Sequence, residues 1–190
     1  MSPGAMCSRV SDMRILWNPW RYEYIRRFST GDEKSGECLF CRLKTAVDEE
    51  ALILHRGRHS FIVLNAYPYN SGHVMVAPYR HVGSLEDLSD EELLEIMQLV
   101  KLSMRVIRKA FNPDGFNIGV NIGRVAGAGV PGHVHVHVVP RWVGDTNFMG
   151  VIAGAKTLPV SLQESYSMLR KALTEITGGS NGIHEGSSDS

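Results

Sequence analysis

The sequence has neither a charge excess nor a long apolar run. Lys plus Arg and Asp plus Glu both number 20, so the formal net charge is zero with neutral histidines. Such a chain lacks the overall positive field that attracts long nucleic acids. No apolar stretch approaches the roughly 20 residues that a membrane span needs, and the start, MSPGAMCSRVSDM, lacks the apolar segment of a signal peptide. We therefore expect a cytoplasmic protein that binds neither membranes nor long nucleic acids.

Cysteine is scarce, because the chain contains only three. An odd and small number argues against a disulfide framework. Cys38 and Cys41 stand in CLFCRL, at the two-residue spacing of a zinc knuckle. A redox pair would require a thioredoxin-like strand and helix, for which the flanking sequence gives little support. The pair therefore indicates a metal site, with two reduced, partly buried thiols as the alternative.

The chain of 190 residues fits one domain better than two. Residues 1–11 are small and polar, which predicts a flexible N-terminus. The stretch 178–190 is rich in Gly and Ser and predicts a disordered C-terminal tail. No internal repeat divides the part between them, so we expect one domain over residues 12–177.

Alternating and helical patterns predict an α+β fold. Short segments bounded by turn residues predict about five strands, namely ALILHRG, FIVLNA, GHVMVAP, GFNIGVN and GHVHVHVV. Apolar residues at helical spacing predict a long amphipathic helix from Asp90 to Phe111, with Ser89 and Glu92 as a capping box. A second stripe predicts a C-terminal helix over 161–177. Hairpin strands beside separate helices favour an antiparallel sheet.

Three histidines alternate with valines in GHVHVHVV. In a strand, His133, His135 and His137 would share one face while the valines pack on the other. Alternate side chains stand roughly 6.5–7 Å apart, which suits an extended polyanion. A neutral imidazole can attack phosphorus while its neighbours hold the oxygens. The alternative is a catalytic metal site, because His-x-His pairs also bind zinc, copper or iron.

The motif HVHVHVV fits the pattern of the histidine triad (HIT) family, in which three histidines alternate with apolar residues. LNAYPYNSGHVMVAP, the long helix and NIGVNIG follow in the family's order, so the resemblance covers residues 38–145. LWNPWRYEYI and VVPRWVGDTNFM are most similar to a subgroup of diadenosine polyphosphate phosphorylases and hydrolases. The resemblance implies a homodimeric nucleotidyl hydrolase or transferase that acts at the α-phosphate of a nucleotide.

The resemblance also assigns roles to the histidines. His135 matches the nucleophile, which would form a covalent nucleotidyl-imidazole intermediate. His133 and His137 match residues that orient it and bind phosphate oxygens. His73 matches a further histidine that supports His133, the first member of the triad. The residues do not choose between water and inorganic phosphate as the second attacking group.

Other positions match the nucleotide-binding residues of the family. Asn65 matches the position that binds the ribose hydroxyls, and Asn121 matches an asparagine that contacts phosphate. The loop AGAGVPGH is one residue longer than the family's usual loop and lacks its Gln and hydroxyl. We expect the backbone N–H groups of Gly127 and Gly129 to replace those side chains.

Some family members hold structural zinc with two cysteines and two histidines. The matching positions are Cys38, Cys41, His81 and His133, a closed Cys2His2 site. Near the start, WNPWRYEY is interpreted either as packing or as a wall for the base. Two further functional classes stay open. One is a non-catalytic nucleotide-binding module, against which the intact triad argues, and the other is a histidine-metal protein.

Overall fold

A computed structural model describes residues 38–146 and 158–178. The predicted flexible N-terminus, the WNPWRYEY segment and nearly all of the predicted C-terminal tail lie outside these residues. Within them, no helix combines the length and the apolar character needed to cross a bilayer.

Five antiparallel strands form one sheet, as the alternation predicts. The strands are β1 (Ile53–Arg56), β2 (Ser60–Leu64), β3 (Val74–Pro78), β4 (Gly115–Val120) and β5 (Val136–Arg141). Their order in the sheet is β1-β2-β3-β5-β4. The last strand of the described residues therefore lies between β3 and β4, and His137, which it carries, has neighbouring strands on both sides.

Within the described residues, three α-helices accompany the sheet: α1 (Leu39–Leu43), α2 (Asp90–Phe111) and α3 (Leu162–Gly178). The second has the predicted bounds because its ends carry the expected signals. Ser89 Oγ accepts from the Glu92 N–H, and the Glu92 carboxylate accepts from the Ser89 N–H. At the other end Asn112 takes the left-handed conformation with φ 46°, which ends the helix before Pro113.

The alternation of β5 separates two cores. Val134, Val136 and Val138 are buried in the larger core, which the sheet forms with α2 and α3. The opposite face carries a smaller core around Phe40 of α1 and Phe61 of β2. The histidines lie on this second face, as the alternation with valine predicts.

Only His137 lies within the ladder of β5. His133 and His135 come before Val136, in an extended segment where the Val134 N–H donates to the Val82 carbonyl at 2.7 Å. β3 ends at Pro78, which has no N–H with which to continue the ladder. The Pro78 carbonyl accepts instead from a histidine ring, and this leaves the first two histidines free to take different partners.

Candidate active site

His135 carries a lone pair on Nε2. Its Nδ1 lies 2.8 Å from the backbone carbonyl oxygen of His133. A carbonyl only accepts, so Nδ1 must bear the proton, and Nε2 of the neutral ring has none. Burial lowers the pKa of His135, against the opposing effect of this hydrogen bond, so the neutral form is favoured. The middle histidine is therefore prepared to act as a nucleophile.

Backbone geometry also fixes the protons of the neighbouring pair. The N–H of Tyr69 donates to His73 Nδ1 at 3.1 Å, so the proton of neutral His73 is on Nε2. That Nε2–H donates to His137 Nδ1 at 3.0 Å, which leaves the proton of neutral His137 on Nε2. The Asn65 side-chain NH2 is a second donor to His73 Nδ1 at 3.3 Å. The Tyr67 N–H donates to Asn65 Oδ1 and so orients the Asn65 amide.

The contact of His73 corrects one expectation. His73 was expected to support His133, but its partner is His137, the third histidine of the motif. It is also fully buried, so it has no surface with which to contact a nucleotide. Burial, and next the charges of His137 and His135, lower the pKa of His73 to about 3. His73 is thus a neutral hydrogen-bond donor that orients His137.

His133 lies in a different cluster from the other two. Its Nε2–H donates to the Pro78 carbonyl at 2.9 Å, so Nδ1 has the lone pair. Nδ1 lies 3.4 Å from Cys38 Sγ and 3.8 Å from Cys41 Sγ. The ring is fully buried, and burial lowers its pKa to about 4. Both nitrogens are engaged away from the solvent, so the geometry favours a ligand role over phosphate contact.

Four residues complete this cluster in a geometry that fits a metal. His81 Nδ1 lies 3.4 Å from Cys41 Sγ, and the four ligand atoms of Cys38, Cys41, His81 and His133 all lie within 4.8 Å of one another. A tetrahedral zinc ion, with bonds of about 2.1 Å to nitrogen and 2.3 Å to sulfur, would place such atoms about 3.6 Å apart. The hydrogen bond to Pro78 is the kind of support that orients a histidine ligand.

The short helix α1 links the cluster to His135. Phe40 lies between Cys38 and Cys41, is 1% exposed and packs against the rings of His133 and His135, with centroids 5.1 Å and 4.8 Å away. Phe40 was not among the residues predicted for the site. The cysteine spacing contained the signal, since two ligands that flank Leu39 and Phe40 hold that short segment against the site.

An open cleft of about 330 Å³ adjoins His137. Its lining residues are Tyr69, Asn70, Asn117, Ile118, Gly119, Asn121, His137, Val139 and Arg141. Gly119 pairs with His137 across the sheet, and no heavy atom lies within 4 Å of where its Cβ would be. Space is therefore available beside His137, and Asn121 is among the residues that line it. His135 is 4% exposed and its ring stands edge-on to that of His137.

The glycine loop departs from expectation. The N–H of Gly127 donates to the Arg124 carbonyl at 3.0 Å, which closes a 3-10 turn over Arg124–Ala126. Gly127 has φ 86°, a conformation that glycine adopts readily. Its N–H is therefore already engaged, and an anion contact would require that turn to open. No such hydrogen bond of Gly129 occurs within the described residues.

Comparison with known proteins gives a consistent result. The family model described as HIT domain matches residues 47–143. The chain belongs to the HIT domain family. A Mycobacterium tuberculosis protein named AP-4-A phosphorylase is 42% identical over 161 residues, which cover 83% of each chain. A Schizosaccharomyces pombe protein named bis(5'-nucleosyl)-tetraphosphatase (asymmetrical) is 40% identical over 93 residues, 49% of this chain and 50% of that protein.

A solved structure is similar to this HIT protein in fold. The zinc-bound histidine triad family protein of Mycobacterium smegmatis superimposes with a TM-score of 0.62 at 27% identity, over 76% of this chain and 99% of its own. The HIT match itself starts after Cys38 and Cys41. The two cysteines thus lie outside the matched segment, while His81 and His133 lie within it.

Proposed function

We propose that the protein is a nucleotidyl hydrolase or transferase that cleaves diadenosine polyphosphates at the α-phosphate through a covalent nucleotidyl-His135 intermediate. The observation that carries the proposal is the proton arrangement of the histidines. Nε2 of His135 has a lone pair, while the adjacent His137 bears its proton on the nitrogen that His73 does not occupy. The names of the phosphorylase and the tetraphosphatase among its relatives support this substrate class.

The first step would join nitrogen to phosphorus. Nε2 of His135 attacks the α-phosphate, the P–N bond forms, and the bond from phosphorus to the bridging oxygen breaks. The leaving polyphosphate departs with the bonding electron pair. The His137 Nε2–H donates to a non-bridging oxygen, whose negative charge increases in the transition state. Loss of one such preorganised donor typically costs about 10²–10³ in kcat.

The second step would return His135 to its resting state. Water or inorganic phosphate attacks the same phosphorus, the P–N bond breaks, and its electron pair returns to Nε2. With water the product is a nucleoside monophosphate and a proton is released. With inorganic phosphate the product is a nucleoside diphosphate. Asn65 would hold the ribose hydroxyls, and Asn121 would donate to phosphate from the wall of the cleft.

Product analysis tests this function. The protein is incubated with diadenosine tri- and tetraphosphate, with and without inorganic phosphate, and products are identified by mass. We expect AMP in water or ADP with phosphate. His135→Ala should lower kcat by about 10⁴ or more, as removal of a nucleophile does, while nucleotide binding persists. His59→Ala is the control, since His59 lies in the β1–β2 turn. Binding without turnover in the wild type would establish a non-catalytic module instead.

We propose further that Cys38, Cys41, His81 and His133 hold one zinc ion. Four protein ligands would close the site, which is typical of structural zinc. The ion would hold α1, and with it Phe40, against the nucleophile segment. Thiolate ligands require reduced cysteines, which agrees with the expected cytoplasmic location.

We also propose a homodimer. On α2, Leu94 is 60% and Met97 is 57% exposed, and on the outer strand β4 Ile118 is 44% exposed. β4 has only β5 as a neighbour within the described residues, so one edge can accept a strand of a second copy. Light scattering at micromolar concentration should give twice the chain mass. A mass of one chain would contradict the dimer and leave the chemistry untouched.

A further inference from the structure

The cleft continues past His137 along β5. His137, Val139 and Arg141 alternate along the strand and line the cleft together. On the adjacent strand β4, Gly119 and Asn117 pair with His137 and Val139, so they lie on the same face. From His137 to Arg141 the floor extends about 13 Å, from a rise of about 3.3 Å per residue. In the opposite direction along the strand the cleft does not reach His133, because that residue is fully buried.

Arg141 is held in one orientation at the far end of this floor. Its Nε and Nη2 donate to the two carboxylate oxygens of Asp145 at 2.5 Å and 2.9 Å. Its Nη1 donates to Asn117 Oδ1 at 2.6 Å. A guanidinium has five N–H groups, so two remain for a ligand. Because Asn117 directs its oxygen to Arg141, its amide NH2 is available as a further donor.

Asp145 orients the arginine but does not itself line the cleft. Its carboxylate also accepts from Asn70 Nδ2 at 2.8 Å, from the Trp142 N–H at 3.3 Å and from Thr146 Oγ1 at 3.2 Å. The Arg141 hydrogen bonds, followed by those other donors, hold the pKa of Asp145 well below its usual range. Among the described residues that line the cleft none is acidic, whereas Arg141 is positively charged.

We propose that Arg141, positioned by Asp145 and Asn117, binds the distal phosphates of a dinucleoside polyphosphate and thereby sets the preferred length of the polyphosphate chain. This inference rests on the proposed attack of His135 on the α-phosphate. Water or inorganic phosphate must stand beside that same α-phosphate. Arg141 lies at the other end of the cleft floor and is therefore too far away to contact either of them there. A distal phosphate of the leaving chain reaches further along β5, and the planar guanidinium suits its oxygens.

Kinetics with substrates of graded length test the role of Arg141. Wild type, Arg141→Gln and Arg141→Lys are assayed with diadenosine tri-, tetra- and pentaphosphate, and with the p-nitrophenyl ester of AMP, which has no distal phosphate. Arg108→Gln is the matched control. It removes the same charge from the opposite face of the sheet, where Arg108 lies 5.0 Å from the Phe116 ring.

Arg141→Gln should lower kcat/KM for the tetraphosphate about tenfold or more, the usual effect of losing charged hydrogen bonds. The ester should change less than twofold, and the preference for a particular length should flatten. Arg141→Lys should keep part of the wild-type kcat/KM, because lysine retains the positive charge but lacks the planar set of N–H donors. Arg108→Gln should resemble wild type.

Three results would overturn the inference. An equal loss on all substrates, the ester included, would place Arg141 at the α-phosphate or in folding. An increase confined to the KM for inorganic phosphate would make Arg141 part of the acceptor site. Unchanged kinetics would mean no contact. If wild type turns over none of these substrates, the proposed function fails instead. Binding of a methylene-bridged tetraphosphate, compared with AMP, then tests Arg141 separately.

Discussion

The hydrogen bond from His73 to His137 gives the most specific prediction about the chemistry. His73 accepts on Nδ1 from the Tyr69 N–H and donates from Nε2 to His137. An asparagine side chain can imitate Nδ1, and a glutamine side chain can imitate Nε2. His73→Asn should therefore keep the acceptor for Tyr69 and lose the donor to His137. His73→Gln should keep the donor.

The expected size follows from that one bond. Removal of a partner from a buried hydrogen bond costs about 1–3 kcal/mol, and about 1.4 kcal/mol corresponds to tenfold in rate. If His137 acts in the transition state, His73→Asn should lower kcat about tenfold to hundredfold with little change in KM. His73→Gln should retain most of kcat, although both variants lose the same imidazole ring.

Two measurements examine this pair of variants. Steady-state kinetics with diadenosine tetraphosphate gives kcat and KM separately, and ¹⁵N NMR of the histidine rings gives the position of each proton. Wild-type His137 should carry its proton on Nε2, and His73→Asn should allow both tautomers. Equal kcat in the two variants, or a wild-type His137 protonated on Nδ1, would refute the reasoning.

Three further predictions concern metal, pH and packing. Purified protein should contain about one zinc per chain, and Cys38→Ser should lose it and melt at a lower temperature, since structural zinc contributes folding energy; full zinc content in that variant would disprove the ligand set. The pKa of His73 falls to about 3 in the folded protein, whereas an unfolded histidine has a pKa of about 6.5. Between these two pH values the unfolded chain therefore binds more protons than the folded protein. The free energy of unfolding, measured with denaturant, should therefore decrease as pH falls from about 6.5 toward 3. In His73→Leu the slope of this free energy against pH should be shallower by up to about 1.4 kcal/mol per pH unit. Identical slopes in the two proteins would exclude His73 as a cause. Ser60 Oγ is buried and has no partner among the described residues, so Ser60→Ala should leave the thermal midpoint unchanged or slightly raised, and a large loss would reveal a partner.

Much of the fold was predictable because its signals are local. The bounds of α2 follow from a capping box at Ser89 and from the Asn112–Pro113 stop, each read within a few residues. The alternation of histidine and valine correctly separates the two faces of the sheet. In contrast, the point where β5 begins depends on Pro78, which lies far away in the sequence. The sequence therefore did not show that the three histidines have different hydrogen-bond partners.

The partners within the site depend on long-range register. His73 contacts His137 because Val74 pairs with Val138, and nothing near either histidine in the sequence records that pairing. For this reason the sequence pointed to His133, whereas the partner of His73 is His137. The contacts of Asn70 have the same origin, since it donates to the distant Pro140 carbonyl and to the Asp145 carboxylate.

Direct capture of the intermediate tests the central claim. Wild-type protein is mixed with radiolabelled diadenosine tetraphosphate, quenched within milliseconds without acid, digested and mapped by peptide mass. The account predicts an AMP group on the peptide that contains His135, with fragmentation assigning it to that ring, and no label in His135→Ala. Label on another residue, or turnover in His135→Ala close to that of the wild type, would contradict the account.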